Sequence, residues 1–209
     1  MEASEFTPKV EEALSKKTDR KFKQTVEVIL NFSGVNVEGE HKLNLNILLP
    51  KGRGKDVEIG VFADGDMNVR AKKYSKHVLN KAELEEFTKD RRGMRRYAGQ
   101  CYGFMAAADM MGVIGKSWGI VLGPRGKMPQ PVPPNANLEI ITKNLKNTVR
   151  VKTKKLPTVQ APVGAEGMDA SDIAENILAV YNAIERVIQR ENINSLYVKT
   201  TMGEAVRIW

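Results

Sequence analysis

Alternation of apolar and polar side chains, the pattern of a half-buried β-strand, is confined to the two ends of this chain. It occupies residues 25–32 and 43–49, and it returns at 148–162. Between these segments, the apolar runs at 57–63 and 102–108 are nearly continuous, as in strands that are covered on both faces. The two ends therefore predict one domain, and the middle predicts a different domain inserted into it.

Helical segments fit the same division. Residues 82–91 and 136–147 predict helices between the buried strands, and such strand–helix alternation is typical of an α/β domain. A short helix at 6–16 and a long amphipathic helix that begins near Asp169, capped by Asp169 or Ser171, belong to the outer segments. The stretch from 34 to 40 predicts a turn that pairs the first two strands antiparallel.

The predicted architecture is thus two domains that combine the α/β and α+β classes. Residues 1–52 and 148–209 form a split α+β domain, and residues 53–147 form an inserted, Rossmann-like, three-layer α/β domain. The glycines of the connector at 51–55 predict a hinge.

The charge of the chain predicts a polyanionic partner. Lys and Arg number 33 against 25 acidic residues, which gives a net charge of +8. The cations concentrate in acid-poor runs at 16–23, 89–96 and 143–155, which favours nucleic acid over an anionic membrane surface. A basic protein without such a partner remains the alternative. One cysteine, no apolar signal segment and no apolar run of ~20 residues predict a cytoplasmic protein that does not enter membranes.

No motif in the sequence indicates catalysis. Gly123–Lys127 resembles a phosphate-binding loop, but Val121 stands where the motif needs glycine and Met128 where it needs serine or threonine. His41 and His77 lack metal-ligand spacing to Cys101. We therefore expect no enzyme, no metal and no cofactor. A nucleotide-binding enzyme that uses the inserted α/β domain is the alternative, motivated by glycine-rich turns after apolar strands.

Two segments resemble a known family. Residues 119–129 (GIVLGPRGKMP) and 195–203 (SLYVKTTMG) are similar to signatures of the stalk-base protein family of the large ribosomal subunit, the family numbered one in that series. Lys21-Phe22 followed by Thr25–Val28, and residues 161–164, match it in the same order. The short, basic form resembles the archaeal branch.

The resemblance implies a function and a set of partners. It implies two domains, one inserted into the other, and a structural role in which the domain formed by both termini holds large-subunit ribosomal RNA of the mobile stalk. It further implies that the stalk assists release of deacylated tRNA from the exit site, and that the protein represses translation of its own mRNA. No cofactor is implied. The free protein is expected to be monomeric.

The resemblance also implies which residues contact RNA. The family's contacts match Phe22, Ser195, Thr201, Met202 and Gly203, with Thr25 and Glu27 at neighbouring positions. Gly203 would let the main chain approach RNA closely, the hydroxyls would bond sugar or phosphate, and Phe22 and Met202 would offer apolar surface.

Further positions follow from charge or differ from the family. Lys21 and Lys155 are expected to contact phosphates. At Lys154 and Gln160 the bacterial pattern has an acid and a histidine, so their roles stay open. We expect Phe22 and Ser195 to neighbour the Thr201-Met202-Gly203 turn, at the edge of the terminal domain. Residues 119–129 are interpreted as a packing and loop segment of the inserted domain.

Overall fold

The computed structural model describes residues 2–37, 39 and 41–209. Its helices, in chain order, are α1 (Ala3–Ser15), α2 (Gly65–Ala71), α3 (Lys81–Phe87), α4 (Arg91–Gln100), α5 (Met111–Ser117), α6 (Gly119–Arg125), α7 (Leu138–Asn147) and α8 (Ala170–Glu185). Its strands are β1 (Thr25–Phe32), β2 (Asn44–Leu48), β3 (Ile59–Phe62), β4 (His77–Leu79), β5 (Gly103–Ala107), β6 (Gln130–Val132), β7 (Thr148–Lys152), β8 (Thr158–Ala165), β9 (Ile193–Thr200) and β10 (Val206–Arg207).

The chain forms two compact units. The terminal unit comprises the chain up to Lys55 together with Asn147–Trp209, and the central unit comprises Asp56–Lys146. The sheets of the terminal unit are antiparallel and the sheet of the central unit is parallel, which confirms the predicted mixture of α+β and α/β architecture. Compactness alone does not show that either unit folds alone, so the predicted domain boundaries remain a prediction.

The main sheet of the terminal unit has the strand order β10-β9-β1-β8. Alternate residues of β1 are buried, and they pack with the apolar stripes of α1 and α8 in a single core. These stripes recur every three or four residues, so each helix lays one face on the sheet. Asp169 occupies the N-cap position of α8 with an extended backbone, and its side chain makes no capping hydrogen bond.

The predicted pairing of the first two strands is wrong. Both edges of β1 are occupied, by β8 and β9, and β2 pairs with β7 in a separate antiparallel ladder. The alternating pattern reveals which face of a strand is buried, but it does not reveal which strand lies beside it. Residues 38 and 40 of the predicted turn lie outside the described part of the chain.

The central unit is a three-layer α/β unit, as predicted. Its parallel sheet has the order β4-β3-β5-β6, and one apolar cluster lies on each face. Phe62 stacks on Phe104 and meets the edge of Trp118 on one face, whereas Val61 and Met105 belong to the cluster on the other. The helix predicted at 82–91 ends at Phe87, and a second helix, α4, begins at Arg91, where the side chain of Asp90 accepts from the N–H of Arg92 as the N-cap.

The connector after β2 is tied to α8 within the terminal unit. Asn176 is fully buried, and its side-chain amide donates to the carbonyls of Gly52 (2.9 Å) and Val163 (2.7 Å). Its carbonyl oxygen accepts from the backbone N–H of Lys51 at 3.1 Å. Gly52 has a positive φ of 71°, which favours glycine there. Across residues 2–37, 39 and 41–209, no helix is long and apolar enough to cross a bilayer.

Candidate nucleic-acid interface

One face of the main sheet of the terminal unit packs against α1 and α8, and we call the opposite face the open face. Since α1 and α8 pack with the buried residues of β1, the alternate residues of β1 and their cross-strand partners point the other way. Strand register places these residues together: Thr25, Glu27, Ile29 and Asn31 of β1; Ser195, Tyr197 and Lys199 of β9; Thr158, Gln160 and Pro162 of β8. Most of them are half-buried, so the face is accessible across three strands.

At one end of this face, Thr201 joins the end of β9 to the start of β1. Its backbone N–H donates to the carbonyl of Thr25 at 3.0 Å. Its hydroxyl accepts from the N–H of Thr25 at 3.1 Å and lies 3.2 Å from the carbonyl of the same residue. The Thr201 hydroxyl therefore positions the turn, and its predicted contact with RNA stays a prediction.

Gln24 is a buried residue that holds the Met202 turn in place, and this role was not predicted from the sequence. Gln24 is 1% exposed, and its side-chain amide donates to the carbonyl of Thr18 at 2.6 Å and accepts from the N–H of Met202 at 2.9 Å. The Thr18 hydroxyl donates to the carbonyl of Met202 at 3.2 Å. We call these contacts the Gln24 clamp. Gln24 is in phase with the buried positions of β1, so a polar residue on a core-facing position was the signal that could have revealed it.

A carboxylate extends the clamp to the loop after β8. Glu166 accepts from the ammonium of Lys17 at 2.5 Å and from the N–H of Gln24 at 3.3 Å. The hydrogen bond from Lys17, with that from Gln24, lowers the pKa of the Glu166 carboxyl below its ordinary value. The loop from 16 to 24 is thereby held on both sides, to the Met202 turn and to Glu166.

Apolar side chains project from this fixed loop and turn. Phe22 and Met202 are each 51% exposed, and Lys21 beside Phe22 is exposed as well. The ammonium of Lys55 donates to the Thr25 hydroxyl at 2.9 Å, which brings another cation to this end of the sheet. An aromatic ring and a thioether are thus presented to solvent among cations.

Gly203 is required by the fold of the turn itself. A Cβ on this residue would collide with the hydroxyl of Thr200 and would lie 3.2 Å from the carbonyl of Lys16. Thr200 is fully buried and β-branched, so its side chain has little freedom to move away. The sequence interpretation, in which glycine allows RNA to approach the main chain, overlooked this internal reason.

Ser195 lies at the other end of β9. It pairs with Asn31, whereas Val26 pairs with Thr200, so Ser195 and Thr201 are separated by about 20 Å along the strand. The expectation that Ser195 neighbours the turn and Phe22 is therefore wrong. β9 is also not the sheet edge, because β10 pairs with it at Tyr197 and Val198.

A polar chain crosses the sheet at the Ser195 end. Asn31 donates to the Ser195 hydroxyl at 2.9 Å and accepts from the Thr158 hydroxyl at 3.0 Å. Lys154 and Lys155 are exposed in the loop that leads into Thr158. Glu27 lies between the two ends, opposite Lys199, and Gln160 is exposed on β8. The predicted residues thus form two groups, one near each end of β9.

The glycine-rich segment of the central unit has a structural position. Its first half forms α6, which ends at Gly126 with a φ of 67°. The ammonium of Lys127 donates to the carbonyls of Ala98 (2.8 Å) and Cys101 (2.5 Å), at the end of α4. Because those carbonyls occupy it, this lysine is not presented to a phosphate. Among the described residues, no group of three His, Cys, Asp or Glu side chains is arranged to hold a metal ion.

Comparison with known proteins supplies a second line of argument. The sequence model of the Ribosomal protein L1p/L10e family matches residues 14–204. The chain is similar to the large ribosomal subunit protein uL1 of Pyrococcus horikoshii, with 46% identity over 203 residues that cover 95% of this chain and 93% of the relative. It is 43% identical to the protein of the same name from Thermoplasma acidophilum, over 95% of this chain and 93% of the relative. For the protein of that name from Methanothermobacter thermautotrophicus, the identity is 43% and the coverage 98% of both.

Proposed function

Because the chain belongs to the Ribosomal protein L1p/L10e family, we propose that it binds ribosomal RNA of the large-subunit stalk through the open face of its terminal unit. Its general role is that of a structural ribosomal protein. The observation that carries the proposal is the exposure of Phe22 and of Met202, on a loop and a turn that the Gln24 clamp joins, with the exposed Lys21 next to Phe22 in the chain. Half-exposed large apolar side chains on an internally bonded scaffold favour a partner that covers them.

The dimensions and chemistry of the open face suit an RNA helix or a folded RNA. A-form RNA presents a wide, shallow minor groove lined by 2′-hydroxyls, which a broad sheet can approach. Hydroxyl and amide groups of the polar chain at Ser195, and apolar groups at Met202, lie at opposite ends of a surface about 20 Å long. Two such anchoring points would recognise the shape of a folded RNA better than one.

The residues of the site divide by role. Phe22 and Met202 contact bases or sugars, and Lys21 and Lys155 contact phosphates. Ser195 is 6% exposed, so it takes part in RNA binding through the polar chain that it forms with Asn31 and Thr158. Thr201 and Gly203 position the turn through their contacts with Thr25 and Thr200. Thr25 and Glu27 complete the face between the two ends. Glu27 is an acceptor only, so it suits a 2′-hydroxyl or a base amino group.

The same surface accounts for the wider role that we propose in translation. A stalk RNA held by the terminal unit would carry the protein with it as the stalk moves, and the protein would thereby assist release of deacylated tRNA from the exit site. An mRNA that folds like the ribosomal site would bind the same face, which would let the protein repress its own synthesis. The site of action is the cytoplasmic ribosome, and no cofactor takes part.

The test is the affinity of the full chain for the stalk fragment of large-subunit ribosomal RNA, measured by fluorescence anisotropy at several salt concentrations. We expect tight binding that weakens with salt as phosphate contacts are screened. Phe22→Ala and Met202→Ala should each cost about 1–2 kcal/mol, because stacking and apolar contacts with nucleotides are of that size. Ile140→Ala, which truncates a side chain 56% exposed in the central unit, is the matched control and should leave the affinity unchanged.

Two outcomes would count against the proposal. Equal affinity for an unrelated structured RNA of the same length would show that only charge is recognised. Unchanged affinity in both Phe22→Ala and Met202→Ala, with circular dichroism as in the unmodified protein, would remove the site from this end of the sheet.

A further inference from the structure

Strand β2 has a backbone edge that no strand pairs with in the described part of the chain. In the described residues it pairs with β7 and with no other strand. The N–H of Thr153 donates to Leu43, and the N–H of Leu49 donates to Asn147, which identifies the odd-numbered residues as those bonded to β7 and its flanks. Since bonding alternates along an antiparallel strand, the N–H and C=O groups of Asn44, Asn46 and Leu48 point to the opposite side.

A groove runs along this edge. It has a volume of roughly 550 Å³ and lies between residues 45–48 of β2 and the C-terminal half of α8. The small side chains of Ala179 and Ala183 leave space on the α8 side of the groove, and Leu45 and Ile47 supply apolar surface on the β2 side. Leu48 and Val187 at the rim are 51% and 40% exposed. A sheet edge beside a helix, with small residues between them, is the geometry that accepts an additional strand.

The charge of the groove indicates which kind of additional strand it can bind. Arg186 is its one charged lining residue in the described chain, and no carboxylate lines it. Arg150 and Lys152 stand opposite Asn46 and Asn44 on β7, so they lie one strand farther from the open edge than β2 does. Strand β2 itself carries no acidic residue, so a second copy of this chain paired edge to edge would bring no carboxylate to Arg186. A strand that carries a carboxylate would meet this arginine favourably.

We propose that the groove between β2 and α8 binds an extended, acidic segment of a partner protein as an added β-strand. Backbone hydrogen bonds to Asn44, Asn46 and Leu48 supply the register, alternate apolar side chains pack on Leu45 and Ala183, and a carboxylate meets Arg186. Strand β2 has five residues, about 17 Å, which sets the length of the bound segment at five to seven residues. The groove offers few cations and much apolar surface, so nucleic acid is a poor match.

The experiment uses the full chain and a fluorescein-labelled peptide of seven residues, alternating valine and threonine between terminal aspartates. Saturable binding is expected, with shifts of the Asn44, Asn46 and Leu48 amide resonances in ¹H–¹⁵N spectra. Arg186→Glu should weaken binding about tenfold or more, because an attraction becomes a repulsion. Arg186 is exposed, so this variant should fold normally, and Ala183→Glu should block the groove independently.

Control peptides test whether binding depends on backbone pairing and on the charge of the peptide. A peptide with prolines at alternate positions lacks the N–H groups of a ladder and should not bind. A peptide with lysines in place of the aspartates should bind weakly to the unmodified chain and better to Arg186→Glu. Failure of every peptide to bind, equal affinity for Arg186→Glu, or displacement of the peptide by the stalk RNA fragment would overturn the proposal. The peptide-binding results leave RNA binding at the open face untouched, because that site is tested by Phe22→Ala and Met202→Ala.

Discussion

Replacement of Gly203 by alanine tests whether this glycine serves the fold or the RNA. The added methyl group would collide with the hydroxyl of Thr200 and press on the carbonyl of Lys16. Thr200 is fully buried, so its side chain can move away only by displacing buried neighbours, although its hydroxyl has no hydrogen bond to lose among the described residues. Overpacking at a buried site costs about 1–3 kcal/mol, and we expect Gly203→Ala to destabilise the protein by that amount.

A second substitution isolates the cause. Thr200→Ala removes the colliding hydroxyl and one methyl group, and by itself should cost about 1 kcal/mol in lost apolar burial. In the double variant the collision is relieved, so the free-energy cost of the double variant should be clearly smaller than the sum of the two single costs. Gly115→Ala is the control, because a Cβ on this helical glycine meets nothing within 4 Å. Alanine there should be neutral or stabilising.

Urea unfolding followed by circular dichroism gives the free energies of unfolding, and thermal melts provide a check. A cost of about 1–3 kcal/mol lowers the Tm by about 2–12 °C in a protein of this size. Unchanged stability in Gly203→Ala would refute the steric argument. Strictly additive costs would show that Thr200 is not the obstacle. RNA affinity of the double variant, measured below its Tm, then reports whether the glycine also serves the interface.

Three further outcomes follow from the terminal unit. Gln24→Ala should cost about 1–3 kcal/mol and speed hydrogen exchange at the Met202 amide, because it leaves buried groups unpaired, whereas Gln160→Ala on the exposed face should do neither. The pKa of Glu166 is lowered in the folded state, so its contribution to the stability of the protein is present above the ordinary pKa of 4.5 and is lost as the pH falls through the folded pKa. Glu166→Gln should therefore reduce the fall of the urea midpoint at pH values below 4.5. An unchanged pH profile of the urea midpoint would contradict this. Replacement of residues 53–147 by a short linker should keep most of the RNA affinity, because Phe22, Met202 and the open face lie in the terminal unit; a short linker can join the ends, since Gly52 lies against the side chain of Asn147. A folded variant that failed to bind would assign the main contacts to residues 53–147, which include Lys55.

The local character of each segment could be read from the sequence. Alternation along β1 and β9 indicates strands buried on one face, and the continuous apolar runs at β3 and β5 indicate strands buried on both faces. The apolar stripe of α8 indicates a helix buried along one side. Each residue is apolar or polar according to its own burial, so the period of burial along a strand or helix is visible in the sequence. This is why the α/β and α+β classes and the change of pattern along the chain were predictable, and family resemblance then supplied the site residues.

Only the tertiary structure decided which segments meet. β2 pairs with a strand about 100 residues later, Ser195 and Thr201 lie at opposite ends of one strand, and Gln24 closes a loop onto Met202. Such contacts depend on register and on side chains distant in sequence, and no local period encodes them. The turn Thr201-Met202-Gly203 shows the difference: the sequence predicts an RNA contact there, and the structure adds that its threonine and glycine hold the turn in place and that Met202 is exposed.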